Sequence, residues 1–177
     1  MFSNPEKNMS ELMLREGMLV ADLGAGSGFY SKSASEHVGH TGHVYAVEVQ
    51  KDMVKKLESD LRTWGISNVD CIWGDIEKSG GTKIASHTID RVIISNVLSQ
   101  AEDKLGLVDE AKRILKSDGL ILLIDLADSL GGSGIMPSHI VPESRAIELF
   151  NKRNLKVQKK ISAGDHQYGI IFTHESR

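Results

Sequence analysis

Cysteine is nearly missing from this chain: Cys71 stands alone among 177 residues. A single thiol excludes a disulfide framework and a zinc site built from several cysteines, and it suits a reducing compartment. Proline is almost as scarce, at three residues against 17 glycines, and no segment repeats, which excludes collagen-like and low-complexity chains. No apolar run approaches the ~18 residues of a membrane-spanning helix; the longest, such as 120–124, are the size of a strand. The first seventeen residues carry charges where a secretory leader needs an apolar core. The expectation is therefore a soluble, cytoplasmic protein without a membrane span. Nor does one sign of charge dominate: 21 Lys and Arg face 24 Asp and Glu, for a net charge of -3 and a pI of about 6.2. Nothing global favours nucleic acid or an anionic membrane as partner.

What is present is an ordinary globular composition, 40% hydrophobic, at a length that fits one domain with a real core. Short β-rich apolar runs alternate with stretches of helical period, the mark of βαβ units around a parallel sheet. The spacing predicts strands over 18–23, 43–49, 69–74, 91–95 and 120–125, with helices over 29–38, 51–64 and 102–115. Met53, Leu57, Leu61 and Trp64 share one helix face. Leu105, Val108, Ala111 and Leu115 share another, with Asp103, Asp109, Lys112 and Arg113 pointing elsewhere. The periodicity of 77–88 assigns no element, and Ser117-Asp118-Gly119 is turn chemistry. Residues 127–141, rich in Gly and Ser, read as a long substrate-side loop. Pro142-Glu143-Ser144 opens a helix reaching 150–153. Final strands over 155–161 and 168–173 are joined too tightly for a crossover helix and must pair antiparallel. The six or seven strands make one α/β domain over 1–177, with 1–17 as an N-terminal lid or cap.

The most informative segment is Val20-Ala21-Asp22-Leu23-Gly24-Ala25-Gly26-Ser27-Gly28-Phe29, a strand running through glycines into a helix. Glycine serves where the chain turns sharply and where a ligand lies against bare backbone, and the helix aims free N–H groups at that ligand. Glu48, ending the next strand, has the spacing of a carboxylate that accepts hydrogen bonds from ribose hydroxyls. A dinucleotide fingerprint would place Gly or Ala at position 29, where Phe29 stands; the third glycine is Gly28. Asp22 before the turn would repel a pyrophosphate but favours a positively charged ligand. Each residue has a plainer reading: the glycines as a tight turn, Glu48 as a solvated strand end, Asp75 as turn chemistry, Asn96 as a cap. Phe29 and Tyr30 are expected to pack rather than to contact a ligand.

These residues resemble those of class I S-adenosylmethionine-dependent methyltransferases, most nearly the ubiquinone/menaquinone-biosynthesis type. Residues 20–29 look like the family's cofactor loop, Glu48 like its ribose-binding acid, and Gly74-Asp75-Ile76 like its adenine-contacting turn. Residues 90–98 resemble the fourth-strand segment beside the transferred methyl, and 115–120 the turn into strand five. The resemblance implies a doubly wound, Rossmann-like, seven-stranded sheet, parallel except for the last strand. It implies S-adenosyl-L-methionine as cofactor, S-adenosyl-L-homocysteine as product, and contacts from Asp22, Gly24, Ala25, Gly26, Gly28, Glu48, Val49, Asp75, Ile76, Ser95 and Asn96.

The crevice of an open α/β sheet lies at the carboxyl ends of its strands. Of the seven histidines, that places His139 and His166 best as catalytic bases, with Tyr168 beside them; His37, His40 and His43 fall at the opposite end. Amino-methylation of a nucleic-acid base goes in this family with an Asn/Asp-Pro-Pro-aromatic run where Ser95-Asn96-Val97-Leu98 stands. Cytosine C5 and arsenic methylation need thiols, and Cys71 sits within a strand. The basic cluster Lys152, Arg153, Lys156, Lys159 and Lys160 lies away from the crevice and reads as solvated charge. Asp125 and Asp128 lack further ligands, so no metal is expected. The expected activity is methyl transfer from S-adenosylmethionine to an unidentified small-molecule acceptor. The alternatives are a non-catalytic S-adenosylmethionine-binding module acting through a partner, and a nicotinamide-dependent reductase.

Overall fold

A computed structural model describes residues 4–127 and 139–175. Along these run α1 (Pro5–Glu11), β1 (Leu19–Leu23), α2 (Phe29–Val38), β2 (His43–Glu48), α3 (Lys51–Thr63) and β3 (Val69–Trp73). They continue through β4 (Ile89–Ser95), α4 (Lys104–Ile114), β5 (Leu115–Leu126), α5 (Glu143–Asn151), β6 (Leu155–Ile161) and β7 (Gln167–His174). The strands form one sheet in the order β3-β2-β1-β4-β5-β7-β6. β1 to β5 pair in parallel, while β7 runs antiparallel to both β5 and β6. The order reverses between β1 and β4, which is where a doubly wound sheet opens a crevice.

The apolar runs of β4 and β5 are explained by cover on both faces. Successive side chains of a strand point to opposite faces. Ile121 and Leu123 therefore join Leu107, Val108, Ala111, Leu149 and Phe150 from α4 and α5. Leu122 and Ile124 join Met9, Leu12, Ala34 and Val38 from the α1 and α2 side. Leu57 and Leu61 of α3 close a smaller cluster over Ala25 and Ala46.

Several expectations shift. The chain before residue 18 contains α1: the Asn4 side chain caps it by accepting from the Lys7 N–H, and Pro5 sits in its first turn. Ser117-Asp118-Gly119 does not interrupt β5. The register against β4 jumps from Ile89↔Leu115 to Arg91↔Leu120, so the turn residues are absorbed as an irregular bulge behind the buried Leu115. Pro142 is the N-cap of α5 rather than a first-turn residue. Most of the loop expected at 127–141 lies outside the described residues. The basic cluster is dispersed among carboxylates: Arg153 with Asp109, Lys156 with Glu175, Lys159 with Glu11 and Lys160 with Glu143. Among the described residues no helix is long and apolar enough to cross a membrane.

Candidate functional site

β1 enters its turn at Gly24, whose φ of 78° and neighbour Val97 both demand glycine: a Cβ there would stand 2.4 Å from Val97 Cγ2. Gly28, at φ 77°, opens α2 and would press a Cβ to 2.1 Å from Leu57 Cδ1. The turn is tied to β2, since the Gly24 and Ala25 N–H groups both donate to the Val47 carbonyl, at 2.9 and 3.0 Å. That places Glu48 across from it. Its Oε2 accepts from the Gly26 N–H at 3.2 Å and its Oε1 from the Gln50 N–H at 3.0 Å. The carboxylate is nine-tenths buried and held in place, with a second lone pair on each oxygen left for a ligand.

Asp22 is 2% exposed and accepts from Ser31 Oγ at 2.6 Å. Burial pushes its carboxyl up to about 6, against the opposing Ser31 hydrogen bonds and with a small push from the Glu48 charge. Asp75, just past β3, pairs with Lys78 at 2.9 Å and accepts from the Glu77 N–H at 3.0 Å, which hold its carboxyl below the ordinary range. At the end of β4, Asn96 adopts φ 57° and accepts at Oδ1 from Gln167 Nε2 at 2.7 Å.

These groups surround one cavity of about 670 Å³ at the carboxyl ends of the parallel strands, within the ~300–1,000 Å³ span of ligand sites. Asp22, Gly24, Ala25, Gly26, Glu48, Val49, Asp75, Ile76, Ser95 and Asn96 all line it, whereas Gly28 stands behind it against Leu57. Neither His139 nor His166 lines it. His139 is exposed; His166 sits at the hairpin turn, where its carbonyl accepts from the Ala127 N–H at 2.8 Å. Tyr168 is buried with its hydroxyl donating to the Val141 carbonyl at 3.0 Å, and burial pushes its ionisation up. Asp125 is fully buried, accepting from the Ser99 and Leu126 N–H groups, and burial raises its carboxyl. Asp128 lies outside the described residues. Among those residues no group of three or more His, Cys, Asp or Glu could hold a metal.

The cavity also takes Pro5, Phe29, Tyr30, Glu77, Gln100 and Gln167, which the sequence reading did not name as ligand contacts. Phe29 stacks on Trp64, ring centroids 6.4 Å apart, yet stays 59% exposed, so it packs on one side only. The Tyr30 hydroxyl accepts from Asn8 Nδ2 at 2.8 Å. Gln167 had a topological signal. A strand antiparallel to its neighbours presents its first residue, not its last, at the end where the parallel strands finish.

A doubly wound sheet with a glycine turn, a ribose-spaced carboxylate and a cavity at its carboxyl ends defines a domain that holds a nucleoside-containing cofactor. Residues 14–168 match the family model described as a methyltransferase domain, and the chain belongs to this S-adenosylmethionine-dependent methyltransferase family. It is 35% identical to human arsenite methyltransferase over 121 residues, 65% of this chain and 32% of that protein. It is 30% identical to the ubiquinone/menaquinone biosynthesis C-methyltransferase UbiE of Haemophilus ducreyi over 115 residues, 64% of this chain and 43% of that one. The chain thus spans about a third to less than half of these relatives' lengths. The crystal structure of a SAM-dependent methyltransferase from Aquifex aeolicus matches with a TM-score of 0.88 at 26% identity, covering 97% of this chain and 89% of that one. S-adenosylmethionine is accordingly the cofactor, which decides between the two classes the glycine turn left open. The residues fit it: bare backbone at the turn, a fixed carboxylate with spare lone pairs at Glu48, and a buried carboxylate at Asp22 with one side-chain donor.

Proposed function

We propose that the chain transfers a methyl group from S-adenosylmethionine to a small organic acceptor bound in the same cavity. The observation that carries this reading is the extent of that cavity, which runs from the glycine turn on to Asn96, Gln100 and Gln167. When bound, S-adenosylmethionine supplies a methyl group already activated by a positively charged sulfur. The backbone of residues 24–27 would cradle its methionine end, and Asp22 would face its positive charge. Glu48 accepts from the ribose, and Asp75 and Ile76 border the adenine. Ser95 and Asn96 flank the acceptor. Bound there, the cofactor would present an electrophilic methyl carbon to an acceptor held beside Ser95 and Asn96. The protein contributes near-attack placement and exclusion of water. His139 and His166 have no part in this scheme.

An organic acceptor is favoured over arsenite because soft metalloids are held by thiolates. Cys71 lies outside the cavity lining, and burial pushes its thiol up to about 11. Calorimetric titration with S-adenosylmethionine tests the cofactor half of the proposal. Glu48→Ala is expected to weaken binding about tenfold or more, the scale of a charge-assisted hydrogen bond. No heat with the parent chain overturns the reading. Transfer of labelled methyl to a panel of small amines, phenols and thiols tests the other half.

A further inference from the structure

Ser31 is fully buried and does not line the cavity, whereas Asp22, which it touches, does. The contact joins two elements, since Ser31 stands in the first turn of α2 and Asp22 near the end of β1. Ser31 Oγ lies 2.6 Å from Asp22 Oδ2, the length of a charge-assisted O–H···O bond. A carboxylate has no hydrogen to give, so with Asp22 ionised the hydroxyl is the donor and holds that oxygen from behind.

No cation of the protein stands in for this donor. The strand partners of Asp22 are Ala46 of β2 and Ile93 of β4. On the α2 side lies the Tyr30 phenol, which also lines the cavity and accepts from Asn8 of α1. The other charge acting on Asp22 is Glu48, at the end of β2, and it is of the same sign. Among the described residues no Lys, Arg or His lines the cavity. Burial and Glu48 thus both favour a proton on Asp22, and what opposes them is hydrogen bonding from Ser31.

We propose that Ser31 is a positioning residue for cofactor recognition, its hydroxyl fixing Asp22 as the charged acceptor that receives the positive methionine end of S-adenosylmethionine. This rests on reading the cavity as the cofactor site with Asp22 facing that end. Without the hydroxyl the buried carboxylate takes a proton more readily, and a protonated Asp22 has no charge to offer.

Calorimetric titration between pH 5 and pH 7 with two ligands tests this. S-adenosylmethionine keeps its ammonium and sulfonium charges over that range, while 5′-methylthioadenosine shares the adenosine and carries no charge. The second ligand keeps the ribose proposed to meet Glu48, so titration at Glu48 shows with both ligands and titration at Asp22 with the first alone. Asp75 is held ionised by Lys78 and the Glu77 N–H. In the parent chain the affinity for S-adenosylmethionine is expected to bend downward near pH 6, where Asp22 titrates, and to be about tenfold lower at pH 5 than at pH 7. Ser31→Ala is expected to move the bend up by about one pH unit, so that it binds about fivefold more weakly than the parent at pH 6. Its affinity for 5′-methylthioadenosine is expected to match the parent's, and Asp22→Asn to bind S-adenosylmethionine without the bend. If Ser31→Ala does not fold, Ser31→Cys, whose thiol is a weak donor, replaces it. A parent profile as flat for S-adenosylmethionine as for the uncharged ligand, a bend unmoved by the substitution, or an equal loss of both ligands overturns the proposal; the last makes Ser31 a structural tie only. Failure of the parent chain to bind S-adenosylmethionine overturns instead the reading beneath it.

Discussion

Asp22 shows how the burial of one carboxylate weakens a fold at neutral pH. Burial raises its carboxyl from 3.8 in the unfolded chain to about 6 in the folded one. Between those values the folded state holds a proton that the unfolded state has released. Stability therefore falls as pH rises from about 4 to about 6, by up to ~3 kcal/mol, and stays at the lower level above. Asp22→Asn is expected to stabilise the cofactor-free chain at pH 7.5 and to change it little at pH 4. Urea unfolding at both pH values checks this; a difference that does not depend on pH contradicts it. On the proposed placement of the cofactor, the same variant should bind S-adenosylmethionine more weakly at pH 7.5, since it removes the charge proposed to face the sulfonium and ammonium end.

At the scale of elements, α4 braces the segment that carries Asp75 and Glu77 to the cavity. Glu110, with its side chain fully buried, accepts from the Gly80 N–H at 2.9 Å, the Thr82 N–H at 3.1 Å, Thr82 Oγ1 at 2.6 Å and Arg113 Nε at 2.7 Å. Arg113 goes on to the Ile84 carbonyl at 2.8 Å and Ser86 Oγ at 2.9 Å. Burial alone would raise the Glu110 carboxyl, but the hydrogen bonds from Arg113, Thr82 and Gly80 outweigh it and hold it at about 2. This stabilisation is complete above about 4.5 and is lost as pH falls toward 2. Glu110→Gln is expected to cost about 3 kcal/mol, since it leaves Arg113 without its counter-charge. The same urea measurement, repeated at pH 7 and pH 3, should find the loss shrinking in acid.

The brace was not legible in the sequence, and the reason is physical. Helical periodicity sets Arg113 off the apolar face, and nothing local reveals that a partner such as Thr82, far back along the chain, waits there. The glycine turn and Glu48 were legible because strand, turn and helix are contiguous and the backbone fixes the spacing between them. The bulge in β5 was hidden for the opposite reason: Ser117-Asp118-Gly119 has turn chemistry, and only pairing of Leu115 with Ile89 keeps it in the strand. α1 escaped because seven residues give too short a period to read.

Taken as a whole, the molecule closes its cavity with pieces from both ends of the described chain, Pro5 from α1 and Gln167 from β7. Met9 and Leu12 are fully buried, so removing residues 1–12 exposes two large side chains' worth of core. The expected loss is ~3–6 kcal/mol. Circular dichroism melts of the shortened chain check it, and an unchanged melting temperature contradicts it.

The placement of β7 has a consequence for vectorial synthesis. β6 leaves the ribosome before β7 but lies outside it in the sheet, so it has no neighbour to pair with until residues 167–174 arrive. Until then β5, with Leu120 to Leu126 all buried in the finished protein, ends the sheet as an open apolar edge that invites pairing with other chains. A chain stopped ahead of residue 167 therefore lacks both the strand that covers this edge and the Gln167 side of the cavity. Such truncated chains are expected to collect as aggregates.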